Sequence, residues 1–320
     1  MGYSTKIIAD SISPAGHHLT TFEVCFPRIV LAEFNTHRRF SRNSASSRAI
    51  PVKKMLERVQ ADPFVPAAFP KNQKGMQASE VLTPEGDAEA SFTWRELRNH
   101  AMNAAHHLAF PPEDGGLDVH KQIANRLLEP WLWHTVIVTA TDWDNFFHLR
   151  ANPMAQPEIQ EAARAMLELY QHSKPTLLKE GQWHLPYIDQ EEIDVWAQRA
   201  QLEGVPEEEF KEVLVKISCA RCARVSYLTH DGKRDPQEDL RLYGDLLKPG
   251  HMSPFEHAAR PMTELELKLF QQEECYWDAK VKKWCFTGKI NHYLGNVNGW
   301  VQHRKMIPGE EDILGYREAT

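Results

Sequence analysis

Cysteine is scarce in this chain, five among 320 residues. That is an odd number and a density far below that of disulfide-stapled domains. Long apolar runs are missing too. The strongest, around Val136–Val138, falls far short of the roughly 20 residues a membrane-spanning helix needs. The opening Met1-Gly-Tyr-Ser-Thr-Lys-Ile-Ile lacks the apolar stretch of a secretion signal. Positive charge is not in excess: the formal net charge is −7, which argues against a protein that coats nucleic acid through bulk charge. Glycine and proline, at 16 and 20, are too few for a fibrous or disordered chain, and no short-period repeat suggests a solenoid. What remains is a soluble cytoplasmic protein with reduced thiols. Its 42% hydrophobic content is enough for a real core.

Residues 19–26 (Leu-Thr-Thr-Phe-Glu-Val-Cys-Phe) alternate as a strand does. Pro27 then opens a short helix over Arg28–Asn35. Helices are predicted over 53–60, 92–109, 118–129, from Thr141–Asp144 to Arg150, and over 155–171, where Ile159, Ala162, Met166 and Leu169 form a stripe. Residues 62–89 read as a long loop, of a length usually functional or mobile, and 172–205 as a polar bridge. Helices then flank a loop at Leu228–Asp235 before the segment Gly250-His-Met-Ser-Pro-Phe-Glu-His257.

The densest polar cluster runs from Thr36 to Arg48 (Thr-His-Arg-Arg-Phe-Ser-Arg-Asn-Ser-Ala-Ser-Ser-Arg). Arginine forks and hydroxyls on irregular backbone suit phosphate oxygens, which accept bidentate, charge-assisted hydrogen bonds. The same composition also fits a solvated basic loop or a nucleic-acid arm. Trp143-Asp-Asn145-Phe-Phe-His-Leu-Arg150, followed by Ala155-Gln-Pro-Glu-Ile159, is a second constellation; on its own, Asn145 and Arg150 fit an ordinary helix-surface pair. Ala220-Arg-Cys-Ala-Arg-Val-Ser-Tyr227 with the 250–257 segment is a third, and Ser-Pro-Phe-Glu-His alone could be a helix cap. Cys219-x-x-Cys222 has no second pair to complete a zinc site, so no metal is expected.

Taken together, these motifs resemble the flavin-dependent thymidylate synthases. His37 and Arg38 occupy the second and third places of that family's Arg-His-Arg triplet. Seven residues separate Arg38 from Ser46, and Arg48 follows two positions on. The segment Thr20–Pro27 resembles the family's strand-to-helix entry, and Asn125-Arg-Leu-Leu-Glu-Pro130 its Arg-x-x-x-Pro helix. The order differs. In the family the Ser-Pro-Phe-Glu-His segment precedes the triplet, whereas here it lies about two hundred residues after it, so the chain looks circularly permuted. The end of the chain echoes the triplet again at Gln302-His303-Arg304, with Glu310 six residues beyond; a degenerate second copy and a chance cluster of basic residues both remain open.

The resemblance implies an α+β fold, an antiparallel sheet with packed helices. Residues 1–175 would form the nucleotide- and flavin-binding part and 176–320 a permuted part packing into the same unit. It implies a homotetramer with shared sites, bound FAD, and NADPH and methylenetetrahydrofolate as co-substrates, with no nucleic acid or membrane partner. A one-carbon unit would pass to C5 of dUMP, giving dTMP. His37, Arg38, Asn43, Asn145, His251 and Ser253 would hold the cofactor, His37 and Arg38 at the FAD diphosphate. Glu33, Ser44, Ser46, Arg48 and Arg150 would hold the nucleotide, with Arg150, Ser46 and Arg48 closest to the chemistry and Glu256 and His257 in support. Three departures touch the nucleotide side: Thr36 replaces the first triplet Arg, Ser44 an acidic residue and Glu33 a usual Gln. Thr36 removes one phosphate contact unless Arg39 or Arg304 replaces it. Glu33 and Ser44 keep open another pyrimidine such as dCMP, methylated or hydroxymethylated. A non-catalytic nucleotide- or nucleic-acid-binding protein is the alternative of a different kind.

Overall fold

A computed structural model describes residues 2–75, 78, 80–226, 235–271, 275–278, 283–286, 295–308 and 310. Tyr227 and nearly all of the Leu228–Asp235 loop lie outside the described residues. The chain begins with a hairpin, β1 (Ser4–Ile12) and β2 (His18–Pro27). Pro27 then turns it into a short 3-10 turn and α1 (Leu31–Phe34). After the basic cluster come β3 (Ser41–Ser44), α2 (Val52–Ala61), α3 (Pro84–Ala109) and α4 (Lys121–Ala124). A 3-10 stretch over Asn125–Trp131 leads into β4 (Trp133–Ala140), α5 (Asp144–Arg150), α6 (Pro157–His172) and β5 (Thr176–Leu177). The rest of the chain supplies α7 (Gln190–Glu203), α8 (Glu207–Ala223) and α9 (Pro236–Leu247), then a 3-10 turn over Ser253–Glu256 and β6 (Ala259–Pro261). It ends with α10 (Glu264–Gln271), β7 (Cys275–Asp278), β8 (Lys283–Phe286) and β9 (Trp300–Gln302).

The main sheet has the order β3-β4-β2-β1-β5. Its long strands are antiparallel, Phe22 opposite Val138 and Asn43 opposite Ile137, while β5 runs parallel to β1. The fold is therefore α+β as expected, but the sheet is mixed rather than wholly antiparallel, because α6 returns the chain to the edge of β1 in β1's own direction. One face of the sheet buries Phe22, Val24, Val136 and Val138 against Phe34, Phe40, Trp143, Phe146, Ile159 and Met166. Full burial of side chains this size stabilises by roughly 1.5–3 kcal/mol each. A second core gathers α8, α9 and the Ser253–Glu256 turn around Leu214, Ile217, Tyr243 and Phe255.

Three regions differ from the sequence reading. Of the helix expected over 118–129, only Lys121–Ala124 is α-helical, and Asn125–Trp131 continues as a 3-10 stretch. Helix α3 starts eight residues before the expected 92, inside the predicted loop, where Thr83 accepts a hydrogen bond from Gly86 N at 3.3 Å and Pro84 fills the first helical position. The polar bridge contains α7, capped by Asp189 (2.9 Å to Glu192 N) and ended by Gly204 at φ 69°. No residue of α7 is fully buried, and its apolar stripe is confined to Ile193 and Trp196, partly buried against the second core, a weak signal among charged neighbours.

The segments before and after residue 175 are stitched together by buried polar contacts. Asn43 Nδ2 donates to the Cys222 carbonyl at 2.7 Å, and Gln302 Nε2 to Ser41 Oγ at 2.8 Å. The Tyr187 hydroxyl donates to Glu23. Tyr187 has a left-handed backbone, φ 64°, and Arg221 holds its carbonyl at 2.8 Å. Arg221 is itself buried between Glu192 (2.6 Å) and Asp239 (3.0 Å), so α7, α8 and α9 close on one guanidinium.

Candidate active site

Four of the residues singled out by the sequence converge beside α1. Arg150, the last residue of α5, spreads its guanidinium over them: NH1 lies 3.3 Å from Glu33 Oε2, Nε 3.2 Å from His37 Nε2 and NH2 3.4 Å from Thr36 Oγ1. Packing places them. Phe34 and Phe146 meet at 5.6 Å, edge to face, and His37 meets Phe146 at 5.0 Å, so α1 and α5 are locked by their apolar faces while their polar residues point the same way. His37 is buried. Burial first, then the Arg150 and Arg42 charges, hold its pKa down at about 4. The ring is therefore neutral at pH 7, with Nε2 accepting from Arg150 and the proton on Nδ1. The result is a cation flanked by a carboxylate, a hydroxyl and a neutral imidazole, and Arg150 remains partly solvent-accessible.

Ser44, Ser46 and Arg48 lie elsewhere, running from the far end of β3 into the turn beyond it. Ser44 pairs with Val136, and Ala45 N donates to the Thr135 carbonyl at 3.1 Å. The next turn is held by Asn125, whose Nδ2 donates to the Ser47 and Ile50 carbonyls at 2.6 and 2.9 Å. Ser47 Oγ reaches Glu129 at 3.1 Å. Glu129, with Arg28, Leu31, Ala32, Asn35, Arg126 and Pro130, lines a pocket of about 460 Å³, so this turn stands at the pocket's edge. Within one chain, Arg150 makes no contact with Ser46 or Arg48 among the hydrogen bonds and ion pairs of the described residues.

On the remaining side, Asn43 is buried and accepts from Ser253 Oγ at 3.4 Å, joining β3 to the Ser253–Glu256 turn. Arg38, Arg48, Asn145, His251 and Ser253 are exposed. Arg38 and Arg48 carry no side-chain hydrogen bond or ion pair among the described residues, which leaves both guanidinium groups available to an anion. Arg39 and Arg304, the two candidates for the missing triplet arginine, are already engaged. Arg39 donates to Asp142 (2.8 Å) and Asn298 (2.6 Å). Arg304 donates to Glu256 (2.5 Å) and Glu310 (2.7 Å), so the six-residue spacing from Arg304 to Glu310 is a direct ion pair.

Residues 5–176 match the Thy1 family, thymidylate synthase complementing protein, a span of more than half of the chain. The chain belongs to this family. It is accordingly an enzyme of the flavin-dependent thymidylate synthase type, methylating a pyrimidine nucleotide, and the non-catalytic alternative falls away. The family implies a flavin cofactor. Among solved structures, the chain is similar to a UMP/dUMP methylase PolB from Streptomyces cacaoi bound with 5-Br UMP, at 17% identity and a TM-score of 0.43, covering 52% of this chain and 88% of that one. The same enzyme bound with 5-Br dUMP matches at 16% identity and 0.41, covering 52% and 89%. No curated protein matches the chain. Among the described residues no helix is long and apolar enough to cross a membrane.

The sequence reading did not find three buried polar residues of the core, Thr21, Thr139 and His184. Thr21 and Thr139 sit within strands whose neighbours are buried as well, so no alternation marks them. The Cys219–Cys222 pair is fully buried and burial raises both thiols well above their ordinary range, which leaves them as inert packing groups. The side chains of Cys275 and Cys285 lie outside the described residues.

Proposed function

We propose that this Thy1-family enzyme transfers a one-carbon unit from methylenetetrahydrofolate to C5 of dUMP, giving dTMP, with FAD bound and NADPH as reductant. The observation that carries the reading is Arg150. Its cation stands in a preorganised group with Glu33, Thr36 and neutral His37, suited to polarising a pyrimidine carbonyl. Ser46 and Arg48 hold the nucleotide phosphate, Arg48 through a guanidinium that no described side chain of its own subunit engages. Because Arg150 and the Ser44–Arg48 turn do not meet within one chain, we read a complete site as formed between copies, in a homotetramer with shared sites.

The donor set fits the flavin. Arg38 offers to a diphosphate a guanidinium that no described side chain engages, and Asn145, His251 and Ser253 offer amide, imidazole and hydroxyl groups to polar ring edges. Asn43, its amide already engaged by the Cys222 carbonyl and by Ser253, serves by positioning Ser253. When bound, FAD would supply the redox chemistry, the transfer of hydride between the nicotinamide cofactor and the pyrimidine. The chain binds and orients. His37 keeps its proton on Nδ1 and leaves Nε2 to Arg150, so the arginine's direction is fixed before substrate arrives. We also read the order of segments as a circular permutation, with residues 1–175 and 176–320 packing into one α+β unit.

A second reading, methylation or hydroxymethylation of dCMP, is favoured by Glu33, whose carboxylate lies 3.3 Å from Arg150. A carboxylate only accepts hydrogen bonds, and a cytosine amino group donates them. Anaerobic turnover of FAD-loaded protein with NADPH, methylenetetrahydrofolate and either dUMP or dCMP decides the matter. Product from dUMP supports the first reading. Product from dCMP alone keeps the mechanism and replaces the substrate. No product from either, with no flavin retained, overturns both.

A further inference from the structure

Five buried side chains, from segments scattered along the chain, form one unbroken hydrogen-bonded row. Ser11 Oγ of β1 lies 2.9 Å from His184 Nδ1, and His184 Nε2 lies 2.7 Å from Thr21 Oγ1 of β2. Thr21 Oγ1 lies 2.7 Å from Thr139 Oγ1 of β4, and Thr139 Oγ1 lies 2.8 Å from His257 Nδ1. None of the five is more than 5% exposed. At the end of the row, His257 Nε2 is buried and has no hydrogen-bonding partner among the described residues. His257 directly follows the Ser253–Glu256 turn.

Each hydroxyl carries one proton and each neutral imidazole one N–H, so the row can run in two directions with every hydrogen bond pointing the same way, while a mixed pattern leaves a buried threonine hydroxyl accepting twice with its own proton idle. If every donor points toward Ser11, His257 is protonated on Nδ1 and its Nε2 is a bare acceptor. If every donor points the other way, Ser11 donates to His184 and His257 carries its proton on Nε2, as a buried N–H with nothing to receive it. Two effects choose the first direction. A buried N–H without an acceptor is among the rarest features of folded proteins, and a bare acceptor is better tolerated. Asp10 precedes Ser11, its charge is felt at His184 more strongly than that of His18, and a negative charge draws the positive ends of the dipoles toward it.

We propose that this row is a polarised positioning device: it fixes His257 as the Nδ1–H tautomer and presents bare Nε2 behind the Ser253–Glu256 turn to a hydrogen-bond donor, an N–H of the bound flavin or a buried water. The tautomer stands on the geometry alone; the link to flavin rests on the function proposed above. Ser11 thereby acts on His257 from the far end of the row, through four hydrogen bonds.

Nitrogen NMR of histidine-labelled protein, with and without FAD, tests the inference in the wild type and in S11A, T139V and T139S. The expected wild-type result is His257 protonated on Nδ1. T139V, which keeps the shape and removes the hydroxyl, should give a mixture of tautomers and weaken FAD binding about tenfold, the equivalent of about 1.4 kcal/mol for one lost hydrogen bond. T139S should restore both, and S11A should mix the tautomers without touching His257. A change at Nε2 on adding FAD identifies the flavin as the donor, and none identifies water. His257 protonated on Nε2 in the wild type, or tautomers unmoved in both T139V and S11A, overturns the proposal. Failure of the wild type to bind FAD would overturn the functional reading while leaving the tautomer result to stand or fall alone.

Discussion

Lowering the pH from 7 to 5 should unfold this protein far more readily than its carboxylates alone would allow. His134, His184 and His257 are each buried, and burial holds their pKa down at about 3. The Arg28 charge adds to the effect at His134, and His184 adds to it at His257. In the unfolded chain each returns to about 6.5. The unfolded state therefore takes up protons first, so stability is full above about pH 7 and declines from 6.5 downward until the folded values are reached. By pH 5 each histidine removes about 2 kcal/mol, and the three together about 6 kcal/mol, comparable with the roughly 5–15 kcal/mol total stability of a typical protein. His37 and His303, both lowered to about 4, act with the same sign. Glu266, held at about 2 chiefly by Arg260, loses its contribution only below about 4.5, so the window from 6.5 to 5 belongs to the histidines. Urea unfolding at pH 7, 6 and 5 measures the slope, and H134N, which keeps a polar group beside Arg28 but cannot titrate, should flatten it by up to about 1.4 kcal/mol per pH unit. A free energy of unfolding that is level from pH 7 to 5, or a slope unchanged in H134N, would refute the reasoning.

Replacing Arg150 by Ala should lower turnover by about a hundredfold or more while leaving the urea midpoint nearly unchanged, since its ion pair with Glu33 is half-exposed and such pairs add little stability. Arg48→Ala should raise the KM for nucleotide with little effect on thermal unfolding; equal loss in both would place Arg48 in the fold instead. Phe146→Ala should cost about 3–5 kcal/mol by opening the cluster with Phe34, Phe40 and Trp143, and denaturant unfolding reads that directly. Gly299→Ala should displace β9, because Gly299 has φ +73° and an added Cβ would stand 2.1 Å from the His17 ring; a thermal midpoint equal to wild type would contradict it.

The sequence was most legible where local chemistry and packing agree. Pro27, the Phe-rich face of α5 and the Ile159–Met166 stripe of α6 all predicted their elements. Glu33, His37 and Arg150 are brought together, whereas the resemblance assigns His37 to the flavin diphosphate and the other two to the nucleotide. It was least legible where the determinant is long-range. Nothing local says that β4 lies between β2 and β3, since Trp-His-Thr-Val-Ile-Val-Thr-Ala alternates poorly and is buried along most of its length. Helix α7 escapes detection because none of its residues is fully buried; it is held by the partly buried Ile193 and Trp196 against the second core and by Glu192 paired with Arg221. The residues missed in the core are neutral and buried, with partners as far as 163 positions away.

Strand β3 is only four residues long, pairs with β4 on one side alone and forms the edge of the main sheet. Its Ser41 and Asn43 side chains are held by groups that arrive much later in the chain and pack beside it: the end of α8 at Asn43, and Gln302 and Asn296 at Ser41. Segments from beyond residue 175 thus act as a guard on a surface that would otherwise recruit another strand. A gene fragment ending near residue 175 would carry the whole family match and still make a sticky product, so any evolutionary rearrangement of these segments had to keep both halves in one chain or supply the cover from another molecule.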